Sequence, residues 1–378
     1  MKIKSIQLRH LKLPMKEPFM TSFGVEYDKD VILVEVHTEL GIVGYSECVA
    51  SEAPLYSEET NGTAWHMIKH FFAPQIIGSV YESRADLLAI REQLRPFKGN
   101  RMAKAAVEMA IWDAYAAEAQ VPLNLLIGEQ PQKTEIAVGI SVGIQPTIDD
   151  LVKKVGGYLE QGFQRIKVKV KPGWDQAPLS ALRQAFGDIP LMADANSAYR
   201  LHDLPHLREF DQFGLMMIEQ PLANDDIIDH ATLQGELQTA VCLDESIHSA
   251  EDARKAISLG ACRIINVKVG RVGGFAEALR IHDVCQESGI PLWCGGMLET
   301  GVGRLHNVAL TTLPGFTLPG DTAPSSRYFD EDLIEPNVAF SRPGFLPVDP
   351  LLGVASRLRP ERVEKWQVAS EWLTESLK

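Results

Sequence analysis

The sequence predicts an α/β protein, a (β/α)8-type (modified TIM) barrel that follows an α+β N-terminal capping domain. The main observation is a register of charges, each of which closes a short apolar run. From Lys169 they follow at intervals of 25, 25, 25 and 24 residues, as Asp194, Glu219, Asp244 and Lys268. Helix-like segments, such as residues 178–186 and 250–259, lie between the runs. Alternating strands and helices form parallel sheets, and barrels carry their chemistry at the carboxyl ends of the strands.

Residues 165–171 contain the first of these charges and alternate strictly between basic and apolar side chains. This period is typical of a β-strand, with Lys167 and Lys169 on one face. Taken alone, the pattern favours an antiparallel strand with a solvated basic face, because lysine is seldom buried. The register of charges further along the chain instead favours a barrel strand.

Length and composition limit the class of protein. The 378 residues suffice for a barrel of roughly 250 residues and a second domain. A net charge of −13 argues against nucleic-acid binding, and we expect no nucleic-acid partner. No apolar run approaches the roughly 20 residues that cross a bilayer, and the first residues lack a signal-peptide core, so we expect no membrane partner. Five cysteines without a C-x-x-C pair suggest reduced, buried thiols and a cytoplasmic protein. We also expect a homo-oligomer.

The N-terminal part predicts strands followed by helices, which indicates a separate α+β domain. Strands are predicted at residues 2–13, 31–37 and 42–48, and helices at 64–72, 83–94 and 101–119. Residues 14–30 and 50–60 read as loops, and 121–128 as a linker. We predict lids over the barrel mouth at about 18–26 and 50–60. The alternative is that both are ordinary connections.

The barrel strands are predicted to follow in order. Residues 135–144 give the first, the lysine strand the second, and runs ending at the next four charges the third to sixth. Residues 291–295 and 316–318 give the seventh and eighth. Seven βα units are clear and closure by the eighth is inferred. We assign residues 1–127 to the capping domain, 128–322 to the barrel and 323–378 to a C-terminal segment that packs on the capping domain and is helical at 359–377.

Three carboxylates on adjacent strand ends predict a metal site. Asp194, Glu219 and Asp244 would repel one another without a cation. Oxygen ligands favour Mg²⁺, with Mn²⁺ as a substitute, whereas zinc would favour histidine or cysteine. The alternative is that these residues are N-caps of the following helices.

Two lysines on opposite sides of the barrel predict acid–base chemistry. A buried lysine near other cations has a lowered pKa and becomes a usable base, and Lys167 supplies such a charge beside Lys169. With Lys268 facing it, the pair suits proton abstraction next to the carboxylate of a small-molecule substrate.

Several motifs together resemble the enolase superfamily, in its muconate-lactonizing-enzyme-like branch. They are Lys167-x-Lys169, Asp194-Ala-Asn196, Glu219-Gln-Pro221, Asp244-Glu-Ser246 and Lys268. Longer stretches, including residues 166–175, 267–274, 295–301 and 318–321, are similar to the subgroup of o-succinylbenzoate synthases that often also racemise N-acylamino acids. The chain has Lys-Val-Gly-Arg271 where the subgroup is expected to have Lys-Pro-Gly-Arg, which leaves the catalytic residues in place.

The resemblance implies a role for each matching position. Lys169 and Lys268 would be the acid/base pair, supported by Lys167, and Asp194, Glu219 and Asp244 would bind Mg²⁺. Asn196 and Glu245 would support them, and Arg271 would tune Lys268 unless it is a surface arginine. Substrate contacts would come from Ser141, Gly295, Gly296 and Met297, and from the lid residues Phe19, Phe23 and Tyr56, whose alternative role is loop anchoring. The implied reactions are dehydration of 2-succinyl-6-hydroxy-2,4-cyclohexadiene-1-carboxylate, a step in menaquinone biosynthesis, and racemisation of N-succinylamino acids.

Other functions remain open on the sequence. They are a dedicated N-acylamino acid racemase, another epimerase or cycloisomerase of the same branch, a Schiff-base aldolase that uses Lys169 or Lys268, a phosphate-binding barrel that uses residues 270–274, and a non-catalytic metal-binding scaffold. The aldolase leaves the carboxylates unexplained, and the scaffold does not need two facing lysines.

Overall fold

The computed structural model describes residues 1–22, 24–129 and 133–375. The N-terminal part contains an antiparallel sheet of four strands in the order β13-β1-β2-β3, in which the edge strand β13 (Gln367–Leu373) comes from the C-terminal segment. Three of its strands are consecutive: β1 (Ile3–Met20), β2 (Val25–Thr38) and β3 (Val43–Cys48). The strand predicted for residues 2–13 is confirmed, and its apolar side chains Ile6, Leu8 and Leu11 are fully buried.

The prediction of a loop at residues 14–30 was wrong, because β1 and β2 form one long hairpin. Their pairing shifts register between Pro14 and Phe19 and continues to Phe19 opposite Glu26. Proline lacks an N–H and is tolerated in a strand at such an irregularity. The hairpin carries the chain as far as the barrel, where Ile144 donates its N–H to the Met20 carbonyl at 3.1 Å.

Helices follow in the capping domain and extend into the predicted linker. They are α1 (Asn61–Met67), a π-helical turn (Ile68–Phe72), α2 (Ala73–Ile76), α3 (Arg84–Leu94), α4 (Arg101–Ala119) and α5 (Leu123–Gly128). The linker prediction for 121–128 was therefore wrong over most of its length. Helix α4 packs on β3 so closely that a Cβ at Gly44 would lie 2.2 Å from the Ala110 carbonyl oxygen. Only glycine allows this approach.

Seven parallel strands form the barrel sheet, in the order in which they follow along the chain. They are β5 (Gly139–Val142), β6 (Arg165–Lys169), β7 (Leu191–Asp194), β8 (Ile218–Glu219), β9 (Val241–Leu243), β10 (Ile264–Val267) and β11 (Leu292–Cys294). Parallel bridges join Phe316 to Leu292 and Gly320 to Val138. The predicted eighth segment and the residues directly after it thus connect the two edges of the sheet through isolated bridges, which confirms the fold class.

The helices that connect these strands lie between them along the chain. They are α6 (Ile148–Glu160), α7 (Gln176–Phe186), α8 (Leu204–Arg208), α9 (Ile228–Glu236), α10 (Ala250–Leu259), α11 (Val269–Val272), α12 (Phe275–Glu287) and α13 (Gly301–Thr311). Ser249 caps α10, Ile227 precedes α9 and Asp203 precedes α8. The alternative that Asp194, Glu219 and Asp244 are N-caps of these helices was therefore wrong.

Two further corrections concern the ends of the barrel. The first predicted strand divides into β4 (Glu135–Ala137), which pairs with β12 (Phe345–Pro347), and the barrel strand β5. The helix predicted at 359–377 is short, and α14 (Pro360–Trp366) is followed by β13 (Gln367–Leu373). Strand β13 pairs with β1 and occupies the edge of the capping sheet. The free edge of β1 explains this strand, because unpaired backbone groups favour an added partner.

All five cysteines are free and buried, as the sequence predicted. In the described part of the chain, no helix is both long and apolar enough to cross a membrane.

Candidate active site

The basic face of β6 points into the barrel rather than toward solvent. Arg165, Lys167 and Lys169 expose 0%, 3% and 8% of their surface. Arg165 donates to Asp321 at 2.6 Å, so its charge is compensated inside the barrel. The solvated-face interpretation fails because carboxylates from the neighbouring strands supply the partners that buried cations require.

The three predicted metal-binding carboxylates lie at adjacent strand ends. Asp194 ends β7, Glu219 ends β8 and Asp244 directly follows β9, and each exposes 1% or less of its surface. Asp194 pairs with Glu219 across the sheet, as the register of charges predicted.

Lys167 is central to this cluster. Its ammonium group lies 3.1 Å from Asp194, 3.0 Å from Glu219 and 2.9 Å from Asp321. Burial lowers its pKa, but the carboxylates of Asp321, Glu219 and Asp194 outweigh burial and raise it above the ordinary lysine value. Lys167 is therefore a fixed positive charge that allows three carboxylates to lie close together.

Lys169 is held by two oxygen atoms. Its Nζ donates to Asp194 Oδ2 and Asn196 Oδ1, both at 2.6 Å. The Asn196 amide in turn donates to Glu245 Oε1 at 2.9 Å. Asn196 and Glu245 thus orient the Lys169 ammonium, at the positions that the resemblance indicated.

Lys268 lies across three intervening strands from Lys169, at the end of β10. It donates to Asp244 Oδ2 at 2.7 Å and to the Tyr56 hydroxyl at 3.0 Å, and it lies 4.3 Å from the centre of the Tyr56 ring. Tyr56 also contacts both Asp244 oxygens, at 3.2 and 3.3 Å. Tyr56 therefore reaches the reactive centre itself as well as the lid pocket.

The expectation that neighbouring cations lower the pKa of the lysines was wrong for Lys268. Burial lowers its pKa, but the Tyr56 oxygen and the carboxylates of Glu245 and Glu219 raise it above the ordinary value. The pKa values of two neighbouring carboxylates shift in opposite directions. Burial raises the pKa of Asp194, yet Lys169 and Lys167 hold it below its ordinary value, whereas burial and the Asp194 charge raise the pKa of Glu219.

Arg271 is buried, so the surface alternative was wrong. It exposes 3% of its surface and forms an ion pair with Asp244. Its guanidinium also donates to the carbonyls of Ile247 at 3.0 Å and Asn266 at 2.7 Å. Arg271 and Lys268 therefore share one carboxylate, which places Arg271 where it acts on Lys268 through Asp244.

The donor set of the strand ends fits an oxygen-preferring divalent cation. All three carboxylates supply hard oxygen atoms, and the neighbouring Glu245 Oε2 is buried without a hydrogen-bond partner in the described part of the chain. Across residues 1–22, 24–129 and 133–375, no three histidine, cysteine or acidic side chains are grouped as a formed metal site. The carboxylates contact the ammonium groups instead.

Ser141, Gly295 and Gly296 lie close to these charges. Ser141 donates to Asp321 Oδ2 at 2.8 Å. A Cβ at Gly295 would lie 2.8 Å from Lys268 Cε, and one at Gly296 would lie 2.8 Å from the Asp321 carbonyl oxygen. A side chain at Gly295 would therefore collide with Lys268, and one at Gly296 with the backbone of Asp321.

Both predicted lid segments reach one cavity at the barrel mouth. The hairpin contributes Phe19 and the second segment contributes Tyr56, beside Met297 and the two facing lysines. Phe23 was also predicted there, but it lies outside the described residues.

Sequence reasoning missed three polar residues of this site. Asp321 binds Arg165 and Lys167, and its signal was a charge that follows the eighth segment as the others follow their strands. Asn266, two residues before Lys268, donates to Glu219 Oε1 at 2.7 Å. Lys29 lines the cavity from the capping domain and exposes 2% of its surface. It lies in the stretch that was read as a loop, so nothing indicated its burial.

Comparisons with known proteins agree with this arrangement. Residues 150–361 match the family described as "Enolase C-terminal domain-like", and residues 4–128 match "Mandelate racemase / muconate lactonizing enzyme, N-terminal domain". The chain is 52% identical to an o-succinylbenzoate synthase of Geobacillus kaustophilus, over 96% of each chain. It is 47% identical to an N-succinylamino acid racemase of Thermus thermophilus, over 97% of this chain and 98% of that one.

A solved structure has the same fold over its whole length. The enolase-superfamily member from Listeria innocua is 40% identical and superposes with a TM-score of 0.93, covering 100% of both chains. With both domains matched and relatives of nearly equal length, the chain is an enzyme that belongs to the enolase superfamily, with the domains of the mandelate racemase/muconate-lactonizing-enzyme family.

Proposed function

We propose that this enzyme abstracts the α-proton of a carboxylate substrate in a Mg²⁺-dependent reaction, as an o-succinylbenzoate synthase that also racemises N-succinylamino acids. The observation that carries the proposal is the pair of buried lysines, Lys169 and Lys268, which face one cavity from strand ends with three strands between them. Relatives at 45–52% identity bear both names, which supports two reactions at one site.

Asp194, Glu219 and Asp244 would hold the Mg²⁺ ion. Members of this superfamily generally use that ion, and the all-oxygen donor set fits it. When bound, it supplies positive charge to the substrate carboxylate as the α-carbon loses its proton. Lys167 remains paired with Asp321, which keeps one positive charge fixed beside Glu219 and Asp194.

Lys169 and Lys268 move the protons. A lysine that accepts the α-proton must first be neutral. Asn196 Oδ1 fixes the position of the Lys169 Nζ atom, which donates to it. In dehydration, Lys169 takes the proton and then returns one to the departing hydroxyl on the same face, while the Lys268 charge stabilises the negative intermediate. In racemisation, one lysine removes the proton and the other donates to the opposite face.

The raised pKa of Lys268 is compatible with the different roles proposed for the two lysines. A lysine that stays protonated serves readily as an electrostatic partner or as an acid. It would act as a base once a cation held by the neighbouring carboxylates offset the negative charge that raises its pKa. We propose that a dedicated N-succinylamino acid racemase is the second candidate, because two relatives at 45% and 47% identity carry that name.

The test is to assay both reactions on one purified, Mg²⁺-loaded sample. We expect dehydration of the cyclohexadiene precursor and racemisation of N-succinyl-L-phenylalanine, each lost in Lys169→Arg so that a contaminating enzyme is ruled out. Racemisation without dehydration would favour the dedicated racemase. A folded, metal-loaded protein that performs neither reaction would contradict the proposal.

A further inference from the structure

The buried cations of β6, and Lys268 directly after β10, all have carboxylate partners. Arg165 and Lys167 contact Asp321, Lys169 contacts Asp194, and Lys268 contacts Asp244. This pairing is the usual condition for a charge to be buried in a protein.

Lys29 is a buried cation in the same cavity without such a partner. It exposes 2% of its surface, and its Nζ donates to the Met297 carbonyl at 2.8 Å. Within residues 1–22, 24–129 and 133–375, no carboxylate oxygen lies within 4.0 Å of the Lys29 ammonium. An ammonium group has three donors, so this one retains donors that a ligand is able to use.

The acidic side chains around this cavity do not replace that ligand, and Asp321 among them is paired with Arg165 and Lys167. Glu47 acts on Lys29 through space, but both of its oxygens are hydrogen-bonded to Thr300. Glu26 also lines the cavity, and it is partly exposed to solvent at the hairpin tip. The buried positive charge therefore faces the cavity with no protein anion bound to it.

We propose that Lys29 binds a second carboxylate of the substrate, at the end of its acyl group. This inference rests on the proposed function and assigns the residue that selects its dicarboxylate substrates, N-succinyl rather than N-acetyl amino acids. One carboxylate lies at the reacting carbon, near Lys169 and Lys268. The other meets a lysine supplied by the capping domain, so acyl specificity comes from the hairpin and the chemistry from the barrel.

The experiment compares two ligands that differ only in the charge at the end of the acyl group. N-Succinylglycine has a carboxylate at the end of its acyl group. N-Succinamoylglycine has a neutral carboxamide of nearly the same size at that end and keeps the glycine carboxylate. Glycine is achiral, so proton exchange leaves the ligand chemically unchanged. Calorimetric Kd values on the Mg²⁺-loaded protein are measured for the wild type, Lys29→Met and Lys29→Gln, together with kcat and KM for the N-succinyl and N-succinamoyl forms of phenylalanine.

We expect the wild type to bind the dicarboxylate about 10- to 100-fold more tightly than the carboxamide, as a charge-assisted hydrogen bond allows. Lys29→Met should remove this preference by weakening dicarboxylate binding and raising its KM, with little change for the carboxamide. Lys29→Gln should have the same effect. Because glutamine keeps a donor for the Met297 carbonyl, this variant serves as the test if Lys29→Met fails to fold. Lys12→Met is the matched control, because Lys12 lies on the same hairpin, half-exposed at 43% and 3.8 Å from Asp28. It should keep the full preference.

Equal weakening of both ligands in the Lys29 variants would show that Lys29 only supports Met297, and it would overturn the proposal. An unchanged preference would overturn it as well. The proposed function has a separate outcome. Charge-dependent binding that requires Lys29, in a protein that catalyses neither reaction, would support this site and refute the function. Catalysis of both reactions, with equal binding of the dicarboxylate and the carboxamide, would support the proposed function and refute the Lys29 site.

Discussion

Lys169→Arg should abolish both dehydration and racemisation, with at least a roughly 100-fold loss of kcat in each, on the order expected for a positioned acid–base group. Arginine keeps the positive charge beside Asp194 but stays protonated at any pH that the enzyme tolerates. It therefore preserves the ion pair and removes the base. Both reactions are assayed on one preparation, because both are proposed to begin at this lysine.

The matched control for this substitution is Lys171→Arg. Lys171 follows Lys169 by two residues, is partly exposed, and pairs its backbone with Trp174. This variant should retain both activities. Lys169→Gln, checked by circular dichroism, separates loss of the base from a packing defect caused by the larger guanidinium. A folded Lys169→Arg variant that retains more than a tenth of either rate would contradict the assignment of Lys169 as the base.

Removal of divalent cations should abolish turnover of every substrate, and Mg²⁺ or Mn²⁺ should restore it. Asp194, Glu219 and Asp244 lie fully buried at adjacent strand ends, where a cation would relieve their repulsion. Asp244→Asn should weaken Mg²⁺ binding at least about tenfold, measured by calorimetry, while the barrel stays folded. Asp330→Asn is the control, because that carboxylate is 90% exposed and distant in sequence from every strand end. Full activity in protein shown by elemental analysis to be metal-free would refute the prediction.

The sequence predicted the barrel and its charged centre because both depend on a local, repeated pattern. Each strand is a short apolar run closed by a charge, so the spacing of the charges is enough to place Asp194 and Glu219 opposite one another. The same register explains why Lys169 and Lys268 were predicted to face one site. Their hydrogen-bond partners Asn196 and Tyr56 came from the resemblance rather than from the pattern.

What the sequence did not predict depends on contacts between distant segments. Pro18 and Gly24 predicted a loop over residues 14–30, whereas the strands pair across a register shift that accommodates Pro18. Strand β13 forms because β1 has a free edge with which it pairs, and the local sequence of residues 367–373 does not indicate this pairing. Lys29 was missed because lysine is usually exposed, and the cavity that buries it is formed by two domains. The raised pKa of Lys268 depends on Glu245 and Glu219, and their proximity to it arises only in the folded barrel.

The central claim is that two lysines act on opposite faces of one α-carbon. The most direct test is deuterium incorporation at that carbon, followed by NMR in D₂O for each enantiomer of N-succinylphenylalanine separately, with wild type and Lys268→Arg. The wild type should exchange and racemise both enantiomers. Lys268→Arg should lose racemisation but still exchange the one enantiomer whose α-proton faces Lys169, since arginine keeps the charge and cannot act as the second base. Unimpaired racemisation by Lys268→Arg, or equal exchange of both enantiomers, would contradict the two-base mechanism.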